Sequence, residues 1–387
     1  MPAPDRPRTP QLRAVVGGLP GYVPGRRADE AAIAALASNE SHFDPLPSVL
    51  ASVLDRAATL NRYPEFDSAT LRGALADRLG VSADEVSAGP GSVGVLQQII
   101  LAMCDAGDEV VFAWRSFEAY PILVRVAGAV PVPVSLRADE AHDLDAMLAA
   151  VTERTRVVIL CTPNNPTGVA LTHDEIEDFV SRVPAHVLVV IDEAYTEYAA
   201  GPDAVDAIAI SRAFPSVCVL RTFSKAYGLA GLRVGYAIAR AEIAEGLRRT
   251  ATPFGVSAVA QAAAIASLGA SDELQDRVDH VLVERARLIA AARDAGWDVP
   301  DSHANFIWLR TDDELQHRLT DAFDDADILV RAYPGDGVRI SIADAASNDR
   351  VVRVLQRIAS HVPVSPVAPI GTAPTAPALV LTTNRTS

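Results

Sequence analysis

The sequence predicts an α/β fold: a large domain with a mostly parallel, helix-covered sheet, then a smaller α+β domain. Three observations predict it. The runs RVVILC (156–161), HVLVVI (186–191) and SVCVL (216–220) are rich in β-branched residues and barely alternate, as strands buried on both faces do. Helical patterns such as THDEIEDFVSRV (172–183) lie between them, and strands alternating with helices build parallel sheets. Past residue 270 the pattern changes to one long helical stretch, SDELQDRVDHVLVERARLIAAARDAG, and then ANFIWLR and GVRISIA.

Taken in order, MPAPDRPRTP has no apolar segment, so no signal peptide is expected. GPGSVG (89–94) fits the G-x-G-x-x-G fingerprint of dinucleotide sites. That fingerprint expects an acid at the end of the next strand. Here Asp108 and Glu109 precede the apolar run VVF, which argues against an NAD site. GSVGVLQQIILAM instead opens a helix with Leu96, Ile99, Ile100 and Met103 on one face. A helix start after small residues offers backbone N–H groups to a single phosphate; a plain tight turn is the alternative. EVVFAW (109–114) reads as a strand, and DLDAMLAAV (143–151) as a helix with Leu144, Met147, Leu148 and Val151 on one face. From His361 the chain is rich in Pro, Ala and Thr without a period, and a disordered tail is expected.

The composition narrows the function. With 387 residues, 49% of them hydrophobic, the chain can bury a large core. Its net charge of −15 argues against nucleic-acid or anionic-membrane partners, which need basic surface. No apolar run is long enough to span a bilayer. The three cysteines, Cys104, Cys161 and Cys218, lie in or beside apolar runs without CxxC spacing. Reduced thiols in a cytoplasmic protein are expected. The eight histidines show no metal-ligand spacing, so no metal is expected.

In an open parallel sheet, ligands sit beyond the carboxyl ends of the strands. The three strand runs lead into TPNNPTG, DEAY and RTFSKAYGLAGLR. These bring Asn165, Asp192, Tyr195 and Lys225 to three strand ends. CTPNNPTG (161–168), IDEAY (191–195) and RTFSKAYGLAGLRVGYAIA (221–239), in this order and spacing, resemble the fold-type I, pyridoxal-phosphate-dependent aminotransferases. The likeness is to the histidinol-phosphate aminotransferase branch. It runs from LPGYVPGRR (19–27) to NDRVVRVL (348–355). Typical histidinol-phosphate enzymes carry an acid in a G-S-D-E pattern where this chain has GSVG, whereas WRSFEAYPILVRVAGA (114–129), LASNES (36–41) and LPGYVPGRR look like the actinobacterial aromatic-amino-acid (phenylalanine) aminotransferases.

The resemblance implies a role for each residue. Lys225 would hold the aldehyde of pyridoxal 5′-phosphate as a Schiff base, then move the Cα proton. Asp192 would keep the pyridine nitrogen protonated. Asn165 and Tyr195 would donate to the phenolic oxygen. Phe117 would stack on the ring. The N–H groups of Ser92 and Val93, the hydroxyls of Thr222 and Ser224, and Arg233 would hold the phosphate. Tyr63, in NRYP, would reach the phosphate of the opposite subunit of a homodimer. Arg339 would grip the substrate carboxylate, with Arg331 as a second substrate-side arginine, and Asn39 and Tyr22 would lie in the segment covering the site. The implied layout is an N-terminal arm (1–38) joining the small domain, a large cofactor-binding domain (39–268), the small domain (269–360) and the tail (361–387). The implied reaction exchanges the amino group of Phe, Tyr or Trp with a 2-oxo acid, 2-oxoglutarate. Histidinol phosphate is the alternative substrate, and another amine or a decarboxylation a further one.

Overall fold

A computed structural model of the chain describes residues 12–19, 21, 33–199, 201 and 204–360. The expected tail (361–387), Tyr22 and the first eleven residues lie outside the described residues.

The strands in chain order are β1 (Ala34–Ala35), β2 (Val86–Gly89), β3 (Glu109–Trp114), β4 (Val130–Ser135), β5 (Thr155–Cys161), β6 (Leu188–Asp192), β7 (Val217–Thr222), β8 (Gly235–Ile238), β9 (Phe306–Arg310), β10 (Ile328–Leu329), β11 (Arg331–Tyr333) and β12 (Gly337–Ser341). Seven of them form one sheet in the order β2-β8-β7-β6-β5-β3-β4. All its pairings are parallel except those of β8, which runs antiparallel to both β7 and β2. The expected α/β class with a mostly parallel, helix-covered sheet is borne out.

The runs without alternation are buried on both faces, as their composition requires. Val110, Phe112, Val157, Ile159, Val190 and Leu220 pack toward the helices Gly91–Met103 and Ala119–Ala127. Their neighbours Val111, Val158, Leu160, Val189, Ile191 and Val219 pack on the other side, with residues of His173–Arg182 and Ala258–Gly269. Period-two side-chain direction thus gives a three-layer core. Burying each of these side chains contributes roughly 1.5–3 kcal/mol.

β2, β4 and β8 are strands that the hydrophobic runs do not announce. β4 is VPVPVS and stands at the sheet edge. Val130 N–H points inward, to Asp108 O. Alternation then turns Pro131 and Pro133 to the open edge, where no N–H is needed. β2 and β8 have four residues each and meet where Gly235 pairs with both Gly89 and Thr222. A Cβ at Gly235 would press on Ser92 N and the Gly91 carbonyl carbon. Only glycine lets the start of the next helix lie there.

The second core joins the helices Ser271–Asp294, Asp313–Asp324 and Ala345–Ala359 to the antiparallel sheet β11-β12-β9. β1 pairs in parallel with β10, Ala34 opposite Ile328, so Ala34 and Leu36 pack into this second core. No described helix is long and apolar enough to cross a membrane.

Candidate active site

β3, β5, β6 and β7 are parallel, so their C-terminal ends share one edge of the sheet. A cavity of about 520 Å³ opens there. Asn39, Ser92, Val93, Phe117, Asn165, Asp192, Tyr195, Thr222, Ser224, Lys225, Arg233, Arg331 and Arg339 all line it. Residues scattered from 39 to 339 are brought together by strand ends and by the two short sheets.

At one end the helix Gly91–Met103 begins, presenting Ser92 and Val93. Gly91 has φ +75°, and a Cβ on it would strike the Arg233 guanidinium. Arg233 donates from Nη1 to Ser224 Oγ at 3.2 Å and to Ala230 O at 2.9 Å. Thr222 Oγ1 donates to Ser224 Oγ at 3.0 Å and accepts from Ser224 N–H at 3.1 Å. Free helix N–H groups, two hydroxyls and one guanidinium make a socket for a dianionic oxyanion group.

Asp192 ends β6 and is 5% exposed. Its Oδ2 accepts from the Tyr120 hydroxyl at 2.6 Å, while Oδ1 is buried with no hydrogen-bond partner. Burial pushes its pKa up to about 6, against the Tyr120 hydrogen bond, which lowers it. A buried carboxylate oxygen without a donor is costly, and it invites a cationic N–H.

Lys225 Nζ donates to the carbonyls of Ser38 at 3.1 Å and Asn39 at 3.3 Å. Burial, then the nearby Arg339, push its pKa down to about 7, with Arg233 adding to the effect and Glu40 opposing it. It is the single lysine of the sequence. That fact alone separates it from every other basic group, independently of the motif around it.

Asn39 ties the covering segment down. It has φ 53° and is 1% exposed. Its Nδ2 donates to Tyr195 Oη at 3.0 Å, its N–H to Ser341 Oγ at 2.9 Å, and its carbonyl accepts from Asn305 Nδ2 at 3.2 Å. Tyr195 therefore keeps its own proton available, and burial raises its pKa well above the ordinary phenol value. Arg339 Nη1 donates to Asn165 Oδ1, and Nη2 to Ala37 O at 2.7 Å. Its Nε has no partner. Arg331 Nη2 is bound to Glu118 Oε2 at 2.7 Å.

Tyr63 stands apart. It does not line the cavity of its own chain, is 82% exposed, and stacks on Phe254 at 4.8 Å. Three side chains of the site carry no role assigned from the sequence: Glu118 and Tyr120, which lie inside the quoted stretch 114–129, and Tyr333. Tyr120 could have been found from Phe117, three residues earlier. That spacing is one turn, and the rings meet edge to face at 5.6 Å.

Known proteins share this arrangement. The family profile "Aminotransferase class I and II" matches residues 32–358. The aromatic amino acid aminotransferase of Streptomyces avermitilis is 49% identical over 354 residues, covering 90% of this chain and 98% of that protein. The protein of the same name from Rhodococcus jostii is 52% identical and covers 88% of this chain and 94% of its own. The histidinol-phosphate aminotransferase of Sinorhizobium meliloti, solved in complex with pyridoxal-5′-phosphate, superposes with a TM-score of 0.83. It is 31% identical and covers 92% of this chain and 99% of its own. The chain therefore belongs to the class I and II aminotransferases.

Proposed function

We propose that the chain is an aromatic-amino-acid aminotransferase. It exchanges the amino group of phenylalanine, tyrosine or tryptophan with 2-oxoglutarate, and pyridoxal 5′-phosphate sits in the cavity. The observation that carries the reading is Asp192 Oδ1, a buried carboxylate oxygen without a partner in the cavity that Lys225 enters. The residues present fit this cofactor. Ser92, Val93, Thr222, Ser224 and Arg233 supply donors for its phosphate. Asp192 supplies the partner for its ring nitrogen, and Phe117 lines the wall beside it. When bound, the cofactor supplies an aldehyde and an electron-withdrawing ring that acidifies the substrate Cα–H.

The chain does the rest. Lys225 Nζ would hold the aldehyde, and the same amine is the group placed to take and return the substrate Cα proton. A pKa of about 7 suits both directions of that transfer. Asp192, at about 6, is mainly ionised at neutral pH and would keep the ring nitrogen protonated. With its Oδ1 on Arg339, Asn165 has Nδ2 for the phenolic oxygen, and Tyr195 offers its hydroxyl proton there. Arg339, without a carboxylate partner among the described residues, orients the substrate carboxylate.

The same reading carries further proposals. The large cofactor-binding domain spans 39–268, the small one 269–360, and residues 1–38 form an arm on the latter. A homodimer is proposed, with Tyr63 reaching the other subunit's phosphate; its exposure beside exposed Phe66 and Phe254 supports this. A cytoplasmic setting is supported by three free cysteines, two of them buried.

Two measurements test the reading. Borohydride should fix one pyridoxyl group per chain, on Lys225, and Lys225→Ala should abolish it. Label on the N-terminal amine instead would overturn the assignment. With 2-oxoglutarate as acceptor, phenylalanine should exceed histidinol phosphate in kcat/KM; the reverse order would favour the histidinol-phosphate reading.

A further inference from the structure

Two guanidinium groups share one face of the β11–β12 pair. Arg331 and Arg339 are directly opposed in the antiparallel register, so both side chains leave the same face, and both line the cavity. Like charges so placed repel. Their surroundings differ. Arg339 meets the neutral acceptors Asn165 Oδ1 and Ala37 O. Arg331 is bound to a carboxylate, Glu118 Oε2, at 2.7 Å, and lies 5.4 Å from the Tyr333 ring centre. Glu118 reaches it from the loop after β3, beside Phe117, across 213 residues of sequence. The pair is only partly shielded, with 12% of the Arg331 side chain and 29% of the Glu118 side chain exposed.

We propose that Glu118 is a specificity-determining residue, which weighs substrates with a second anion against substrates with an uncharged ring by holding Arg331. This role rests on the aminotransferase function proposed for the site. One guanidinium held by neutral acceptors alone, Arg339, is enough for an α-carboxylate. A ring can lie against the neutral Arg331–Glu118 pair without breaking it. The distal carboxylate of 2-oxoglutarate, or a phosphate, has to displace Glu118 from Arg331 to be neutralised. Glu118 thus lowers the preference for the second anion while leaving Arg331 in place to receive it. It also relieves the repulsion between the opposed arginines, and so positions Arg331.

The test uses the holoenzyme, first aminated with phenylalanine, and compares kcat/KM for 2-oxoglutarate with that for phenylpyruvate. Both are 2-oxo acids and differ at the far end. Glu118→Gln should raise the 2-oxoglutarate to phenylpyruvate ratio about tenfold, the scale of one hydrogen bond to a charged group. The change should sit mainly in KM for 2-oxoglutarate. Glu118→Asp, shorter by one methylene, should move the ratio the same way by a smaller factor. Arg331→Gln should lower the ratio, and Glu118→Gln should have no effect on it in that background. A merely structural Glu118 would lower both values together and leave the ratio unmoved; that result in either Glu118 variant overturns the proposal. A rise that persists with Arg331→Gln overturns it too. Failure of the native enzyme to use phenylalanine would instead overturn the functional reading.

Discussion

Tyr120 donates its hydroxyl proton to Asp192 Oδ2 across 2.6 Å, and the carboxylate's other oxygen is left buried and without a partner. The tyrosine comes from the helix after β3 and the aspartate from the end of β6. Two strand ends thus cooperate on one carboxylate. One oxygen is fixed in place, and the other is kept for a ligand.

Tyr120→Phe removes the donor. A hydrogen bond to a charged group contributes about 1.5–3 kcal/mol. Without it the pKa of Asp192 should climb from about 6, because the Tyr120 bond is the largest cause lowering it against burial, ahead of the Ala194 backbone. More of the carboxylate is then protonated at neutral pH. We expect kcat/KM for phenylalanine to fall about tenfold there, and to recover in alkaline buffer as ionisation is restored. A deficit equal at every pH would mean that Tyr120 acts by packing alone.

The Lys225 amine gives a second pH signature. Burial is the largest cause of its depressed pKa of about 7, and Arg339 the next. Below that pH the ammonium form predominates and cannot attack an aldehyde; above it the free amine can. Uptake of pyridoxal phosphate by the apoenzyme, monitored by absorbance, should speed up through about pH 7 and then level off. An ordinary lysine would keep accelerating toward its usual value of 10.5. A rate still climbing well above neutrality would show that the site does not depress the amine.

These residues were legible because their chemistry derives from type and place. Asp192 and Lys225 lie just past β-branched runs whose burial on both faces could be read directly. Arg339 stands inside an apolar strand, where an unpaired charge calls for a ligand. What stayed hidden depends on long-range contacts. Glu118 is an ordinary acid until Arg331 arrives from 213 positions away, and Tyr120 an ordinary core aromatic until Asp192 arrives from 72. The strands went the same way. β4 carries two prolines that argue against a strand, and only its edge position makes them harmless. β8 is short, and its first residue is glycine because of the backbone of Gly91 and Ser92 against it.

Arg339→Gln tests the carboxylate clamp. The change removes the guanidinium and leaves a shorter neutral amide, whose nitrogen stands where Nε does and not where Nη1 and Nη2 meet Asn165 and Ala37. Loss of a charged, forked partner should cost about 1.5–3 kcal/mol, or roughly tenfold to a hundredfold in kcat/KM for phenylalanine. Phenethylamine, which has no carboxylate, should be poor with the native enzyme and little changed by the substitution. The substitution should also raise the pKa of Lys225 in part, because Arg339 is its second cause of depression and burial remains. Equal losses for both amines would mean that Arg339 acts on the fold of the site and not on the carboxylate.

The last prediction concerns Tyr63. It is 82% exposed and outside the cavity of its own chain, yet stacked on Phe254. Phe66, also exposed, meets the same Phe254 edge to face at 5.4 Å. Exposed aromatic clusters of this kind mark interaction surfaces. If a second copy covers this one, Tyr63 of each subunit serves the other's site. A Lys225→Ala chain and a Tyr63→Ala chain, each impaired alone, should then complement when refolded together. Each mixed dimer would hold one doubly damaged site and one intact site, so up to about half of the mixed dimers' native activity should return. Mixed dimers that form, as seen by mass, and stay inactive would leave Tyr63 without a role across the interface.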